Sequence, residues 1–174
     1  MKNNFKLVAT AAAGLESLTA KELRDLGIEV TLDDRSRVLF SGDKKTIATA
    51  NLWLRTADRV KIIVGEFPAK TFDELFEGVY ALEWEDLLPF GAKFPIAKAK
   101  AVKSDLHNEP SIQAITKKAI AKKMQVHYHR PENVPIPETG ALFSIEVALH
   151  KNVATIMLDT TGESLFKRGY RVDK

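Results

Sequence analysis

Between residues 5 and 64 the period of the apolar side chains switches back and forth between two and 3.6. That order leaves few folds open. Phe5, Leu7, Ala9 and Ala11 alternate with Lys6, Val8 and Thr10, as on a half-buried strand. Leu15, Leu18, Leu23 and Leu26 then cluster on one side of a predicted helix, with Gly27 as its C′ residue. Residues 28–32 and 37–41 form two short predicted strands around the turn Asp33-Asp34-Arg35-Ser36. Residues 43–55 make a second helix with Ile47, Ala50 and Leu54 inward. Val60, Ile62 and Val64 then line one face of a further strand, opposite Arg59, Lys61 and Ile63. The result is a β-α-β-β-α-β unit.

Pro68 ends this region, so residues 1–68 are expected to be one subdomain and 69–160 a second. Thr71-Phe-Asp-Glu74 predicts a capping box, and Phe72, Leu75, Phe76, Val79 and Tyr80 follow at helical spacing. Pro89 and Gly91 close that stretch. In the strand that follows, Ala97, Ala99 and Ala101 are expected on one face, and Ile96, Lys98, Lys100 and Val102 on the other. Pro110 opens a helix to about Val126, with Ile112, Ile115, Ala119 and Val126 on its apolar side, Lys118 and Lys122 one turn apart, and Lys123 near the stripe. After a loop with Pro131, Pro135 and Pro137, Phe143, Ile145, Val147 and Leu149 alternate on a strand. His150-Lys151-Asn152 turns, and residues 153–159 return as the hairpin partner. The expected class is α+β in two parts.

Composition excludes several functions. The chain has 174 residues, 45% hydrophobic and 28% charged, which is enough apolar material for a core. It has no cysteine, so disulfides, thiolate metal sites and thiol nucleophiles are all absent. No apolar run nears the ~20 residues of a membrane helix, and Lys6 interrupts the only stretch resembling a signal peptide, so a cytoplasmic location is expected. Charge is polarised along the chain. Residues 66–90 hold seven acids against one lysine, and residues 93–123 hold eight lysines against two acids. A basic face is the electrostatic footprint of a nucleic-acid binder, and also simply how a helix is solvated.

Catalytic motifs are missing. The sequence contains neither G-x-G-x-x-G nor G-x-x-x-x-G-K-[ST], and neither G-x-S-x-G nor H-E-x-x-H. His127 and His129 flank Tyr128, but two imidazoles without a third ligand make no metal site; no catalytic residue and no metal ligand is assigned.

Three stretches are specific: the strand end Lys100-Ala-Val-Lys-Ser104, the turn into Pro110-Ser-Ile-Gln113, and the helix segment Lys117-Lys-Ala-Ile-Ala-Lys-Lys123. Together they resemble the THUMP domain, an RNA-binding module of tRNA and rRNA modification enzymes. The tail Leu158-Asp-Thr-Thr-Gly-Glu-Ser-Leu-Phe-Lys-Arg-Gly-Tyr-Arg171 is similar to the segment joining THUMP to the catalytic domain in bacterial 23S rRNA guanine-N2 methyltransferases, often labelled N6-adenine-specific DNA methylases. With the ferredoxin-like start, the resemblance spans essentially the whole chain.

The resemblance implies a ferredoxin-like subdomain, a THUMP core whose family profile begins near residue 44, and a linker over residues 161–174. It implies RNA contacts by Lys98, Lys100, Lys103, Ser104, Ser111, Gln113, Lys117, Lys118 and Lys122, with the strand and helix lysines converging on one groove. Arg168, Tyr170 and Arg171 would contact RNA or dock another domain. The implied RNA is rRNA, with tRNA as the other class. In that family a Rossmann-like domain binds S-adenosylmethionine and carries an Asn-Pro-Pro-Tyr-type motif. This sequence has no Pro-Pro dipeptide, so methyl transfer and its cofactor are expected outside these residues, and this chain alone is expected to be inert. Two other readings stay open: a stand-alone RNA-binding or protein-interaction domain, and the THUMP region of a different RNA-modification enzyme.

Overall fold

A computed structural model describes residues 4–32 and 37–160. The described chain forms two compact units, residues 4–63 with Asp159 and Thr160, and residues 64–158.

In the first unit the elements are β1 (Phe5–Ala11), α1 (Glu16–Asp25), β2 (Val30–Leu32), β3 (Arg37–Gly42), α2 (Lys44–Trp53) and the first part of β4 (Ala57–Pro68). The strands lie in the order β2-β3-β1-β4, every pair antiparallel. Leu7 sits between Phe40 and Ile62, and Ala9 between Val38 and Val60. All six are buried, as are Ala20 and Leu23 of α1 and Ile47 and Ala50 of α2. The expected leucine stripe of α1 does not form. Leu18 is 51% exposed, because it lies five residues, about 140° of helix, from Leu23. Leu15 is the N-cap and Leu26 the C-cap, so Ala20 and Leu23 carry the contact. Gly27 takes the left-handed conformation at φ 80°. Its amide bonds Arg24 O and the next amide bonds Leu23 O, the Schellman pattern.

The second unit contains the end of β4, α3 (Phe72–Tyr80), the short α4 (Trp84–Leu87), β5 (Ile96–Val102), α5 (Glu109–His127), β6 (Ile145–His150) and β7 (Val153–Asp159). Its strand order is β7-β6-β5, with β6 and β7 an antiparallel hairpin and β5 and β6 parallel. A parallel pair needs a crossover, and α5 supplies it. The capping box forms as expected: Thr71 Oγ1 accepts from Glu74 N at 3.1 Å, and Glu74 Oε1 from Thr71 N at 3.2 Å. α5 starts behind Asn108, whose Oδ1 accepts from Ser111 N at 3.0 Å. Its buried side is Ile112, Thr116, Ala119, Ile120 and Met124, while Val126 is 54% exposed and Ile115 half-buried, contrary to expectation. Thr116 enters the core because its hydroxyl donates to Ile112 O at 2.8 Å.

One carboxylate holds the first unit's helix ends together. Glu22 accepts from Arg55 N at 3.0 Å, from Thr56 N at 3.1 Å and from the Thr56 hydroxyl. Partial burial pushes its carboxyl up, but the Thr56 hydroxyl, the two amides and the Arg55 charge outweigh this and hold it below its ordinary value. A depressed pKa contributes stability above the unfolded value and loses it as pH falls through the folded one. Glu22→Ala is therefore expected to cost about 1–2 kcal/mol at neutral pH. Thermal melts between pH 7 and 3 should show the gap between wild type and Glu22→Ala closing below about pH 4. A gap constant across that range would show the carboxylate charge to be irrelevant.

Candidate nucleic-acid interface

β5 departs from simple alternation. The register with β6 runs Ile96 to Ile145 and then Lys98 to Glu146, so Ala97 is an extra, exposed residue. This bulge turns Ile96 to the buried side with Ala99, instead of the lysine side. Beyond it, Ala99 and Ala101 share a face with Val147 and Leu149 under α5, whereas Lys98 and Lys100 share the other face with Glu146 and Ala148. Both lysines are exposed. The expected groove, in which strand and helix lysines converge, is therefore not formed: the two sets lie on opposite sides of the sheet.

The strand end is built around left-handed residues. Lys103 (φ 51°), Lys151 (φ 50°) and Asn152 (φ 63°) all lie in that region. Lys151 N donates to Val102 O at 3.2 Å. Ser104 Oγ donates to Val102 O at 3.0 Å and accepts from Asn152 N at 3.1 Å, and Asp105 N donates to Asn152 Oδ1 at 2.8 Å. Ser104 is thus a fastener between turns, and its hydroxyl is already engaged. Lys103 and Lys151, both exposed, are brought to the same end of the unit. Sequence reasoning missed Lys151. Its signal was the two-residue hairpin turn, which fixes where the side chain emerges.

On α5 the candidate residues divide. Gln113 Nε2 donates to Ile96 O at 3.1 Å and ties the helix to the bulge. The Ser111 amide is capped by Asn108. Lys117 is committed: its Nζ lies 3.5 Å from the centroid of Phe94, donates to Phe94 O at 3.1 Å and meets Glu138 Oε1 at 2.7 Å. Burial pushes the Glu138 carboxyl up, but the Lys117 bond, the Phe94 amide and the Lys117 charge hold it below its ordinary value. Lys118 and Lys122 are exposed on the solvent side, with Lys122 Nζ 5.9 Å from the Phe76 ring. Lys123 leans toward Tyr80, at 5.2 Å. Beside Phe94 opens an apolar hollow of about 460 Å³, counting solvent at its mouth, walled by Leu88, Met124 and Ile136 and rimmed by Gln125. Arg168, Tyr170 and Arg171 lie outside the described residues.

No group of three metal-ligating side chains exists among the described residues. At the turn between β1 and α1, Gly14 N donates to Glu16 Oε2 at 3.0 Å.

Residues 69–159 match the family model described as THUMP domain, and residues 6–61 match that of the RlmL ferredoxin-like domain. The chain belongs to the THUMP family. It is 49% identical over 170 residues to YpsC of Bacillus subtilis, which carries a provisional RNA methyltransferase name; the match covers 98% of this chain and 43% of that protein. It is 29% identical over 174 residues to the ribosomal RNA large subunit methyltransferase K/L of Pseudomonas savastanoi, covering all of this chain and 23% of that one. The crystal structure of SMU.472, provisionally described as a methyltransferase and complexed with SAH, is 64% identical with a TM-score of 0.91, covering 98% of this chain and 45% of that one. The chain thus spans less than half the length of these relatives.

The division of the α5 lysines is testable by stability. Lys117→Met removes the bond to Phe94 O and the ion pair, leaving Glu138 with the Phe94 amide, and should cost about 1 kcal/mol, whereas Lys118→Met should stay well within about 0.5 kcal/mol of wild type. Urea denaturation measures both. Equal costs would contradict the assignment of Lys117 to the fold.

Proposed function

We propose that this chain is the RNA-recognition part of an S-adenosylmethionine-dependent methyltransferase that modifies guanine N2 in large-subunit rRNA, acting in the cytoplasm. The observation that carries the reading is the pair Lys118 and Lys122, exposed one turn apart on a THUMP helix whose Lys117 is bonded to Phe94 and Glu138. The names of the longer relatives support the methyltransferase and rRNA parts. Cofactor binding and methyl transfer belong, in this reading, to the length those relatives carry outside the match. No helix among the described residues is long and apolar enough to cross a membrane.

Lysines bind phosphate as point charges and read no sequence. An RNA helix hides its base edges in a deep groove, so shape and backbone contacts dominate there, whereas an unstacked base at a strand end can be gripped directly. The solvent side of α5 suits contact with an RNA backbone, because the exposed Ala114, one turn before Lys118, stands low and lets it approach. The apolar hollow beside Phe94 suits an unstacked base.

Lys98 and Lys100 admit a competing role. β5 is the edge strand of its unit, and edge lysines protect against strand-to-strand association. Filter binding of a hairpin RNA with a single-stranded end, across a salt series, separates the roles. Each phosphate contact contributes about −0.7 to the log–log salt slope for a single strand, so Lys118→Ala/Lys122→Ala should flatten it by about 1.4 units. If Lys98→Ala/Lys100→Ala flattens it similarly, β5 is also a contact; if that variant binds normally but self-associates, its lysines guard the edge. An unchanged slope in the helix variant would remove α5 from the interface and overturn the reading.

A further inference from the structure

Lys117, Ala121, Gln125 and Tyr128 form a stripe down α5 to its C-cap, about 100° around the helix from Lys118 and Lys122. Ala121 and Gln125 of this stripe wall the hollow beside Phe94, whose floor of Leu88, Ala92, Phe94 and Met124 is buried. Its rim is tied to the helix end. Gln125 Nε2 donates to Val134 O at 3.3 Å, and Arg130 Nη2 donates to Pro135 O at 3.2 Å. Phe90, 50% exposed, lies between Pro89 and Gly91, which both line the hollow. Its ring meets that of Tyr128 edge-on with centres 5.1 Å apart, and the Arg130 guanidinium carbon lies 5.8 Å from its centre. These contacts join the hollow, an exposed aromatic ring and a guanidinium into one site within the second unit.

Glu138 also walls the hollow. Its Oε1 accepts both from Phe94 N at 3.0 Å and from Lys117 Nζ at 2.7 Å, while no described residue donates to Oε2. Burial pushes this carboxyl up, but the Lys117 bond, the Phe94 amide and the Lys117 charge keep it ionised at neutral pH, so it accepts hydrogen bonds and donates none. The volume of about 460 Å³, mouth included, lies within the roughly 300–1,000 Å³ of small-ligand pockets. A group that fits has an apolar body and one N–H edge for Glu138 Oε2.

We propose that this hollow takes one unpaired base of the bound RNA, and that Glu138 selects a base with an exocyclic amine (adenine, cytosine or guanine) over uracil. This rests on the reading of the chain as an RNA-recognition part and names what that part reads. Bases drawn out of a stack are recognised by stacking and by hydrogen bonds to their edges. An amine offers its N–H to Oε2. The one edge donor of uracil sits between two carbonyl oxygens, which repel a carboxylate. A backbone held by Lys118 and Lys122 lies one helical step from the hollow, Arg130 adds a cation at the rim, and Phe90 offers a face to a neighbouring base. An apolar side chain of a protein partner is a poorer fit, because it would cover Glu138 Oε2 and leave it without a donor.

The chain has three methionines, which makes the test local. Met124 walls the hollow, whereas Met157 pairs with Glu146 on the sheet face away from α5. The probes are one hairpin RNA, blunt or with a short unpaired tail of adenosine, cytidine or uridine. In the 174-residue chain labelled with ¹³C-methyl methionine, the adenosine and cytidine tails are expected to shift the Met124 methyl upfield through the ring current of the base, with Met157 unmoved. The blunt hairpin should shift neither. In filter binding those two tails should bind about tenfold tighter than uridine, and Glu138→Gln, whose amide donates as well as accepts, should bring the ratio within about twofold. Ala121→Leu, which fills the hollow, should remove the advantage of a tail and leave the blunt hairpin's affinity unchanged. If that variant does not fold, Glu138→Gln carries the test. A Met124 methyl unmoved by a tail that tightens binding, or uridine equal to the other two in wild type, would overturn the proposal. So would a Met124 shift that grows with protein concentration in the absence of RNA, which gives the hollow to a second copy. Tails that bind no better than the blunt hairpin overturn this proposal alone, whereas the RNA-recognition reading fails with it if neither form binds.

Discussion

The second unit depends on Asn152. From a left-handed backbone it accepts Ala69 N at its carbonyl (2.8 Å), accepts Asp105 N at its side chain (2.8 Å) and donates its own amide to Ser104 Oγ (3.1 Å). One residue thereby fastens the end of β4, the β5–α5 turn and the β6–β7 hairpin. These bonds satisfy backbone groups that a loop would otherwise leave unpaired, and they fix where Lys103 and Lys151 emerge. Asparagine suits the position because its short polar side chain tolerates φ above zero and bonds locally.

A basic stretch is thus not a uniform basic surface. Lys117 sits within hydrogen-bond reach of Glu138, above an aromatic face, and is part of the fold. Lys123 holds its ammonium 5.2 Å from the centre of the Tyr80 ring. Lys118 and Lys122, on the same helix, reach solvent because the 100° step carries them past the sheet-facing side. Counting lysines overstates the charge available to a phosphate; helical phase and the location of acids from distant segments determine it.

Legibility in the sequence followed the range of the interaction. The element order, the capping box at Thr71 and the role of Gly27 were readable because each is decided within a few residues. The bulge at Ala97 was not, since alanine fits either face and only the pairing with β6 reveals the extra residue. Nor was the partner of Lys117, because Glu138 is 21 residues away in a proline-rich loop. The buried side of α1 was misjudged by taking leucines at face value where Ala20, Leu23 and Thr19 had the right phase.

The split of the lysines across the sheet follows from topology. In a β-α-β crossover the helix covers one face, so outward residues of the strand point the other way from the helix's solvent side. No choice of residues on β5 and α5 can bring both sets into one groove through the sheet. They can meet only around its rim, and β5 lies at that rim. A polyanion touching both sets has to wrap the edge strand, passing the end where Lys103 and Lys151 emerge. Binding that engages both Lys98 with Lys100 and Lys118 with Lys122 would therefore need a bent or flexible polyanion, such as the junction of a nucleic-acid stem with a single-stranded segment. A straight duplex can reach one set alone.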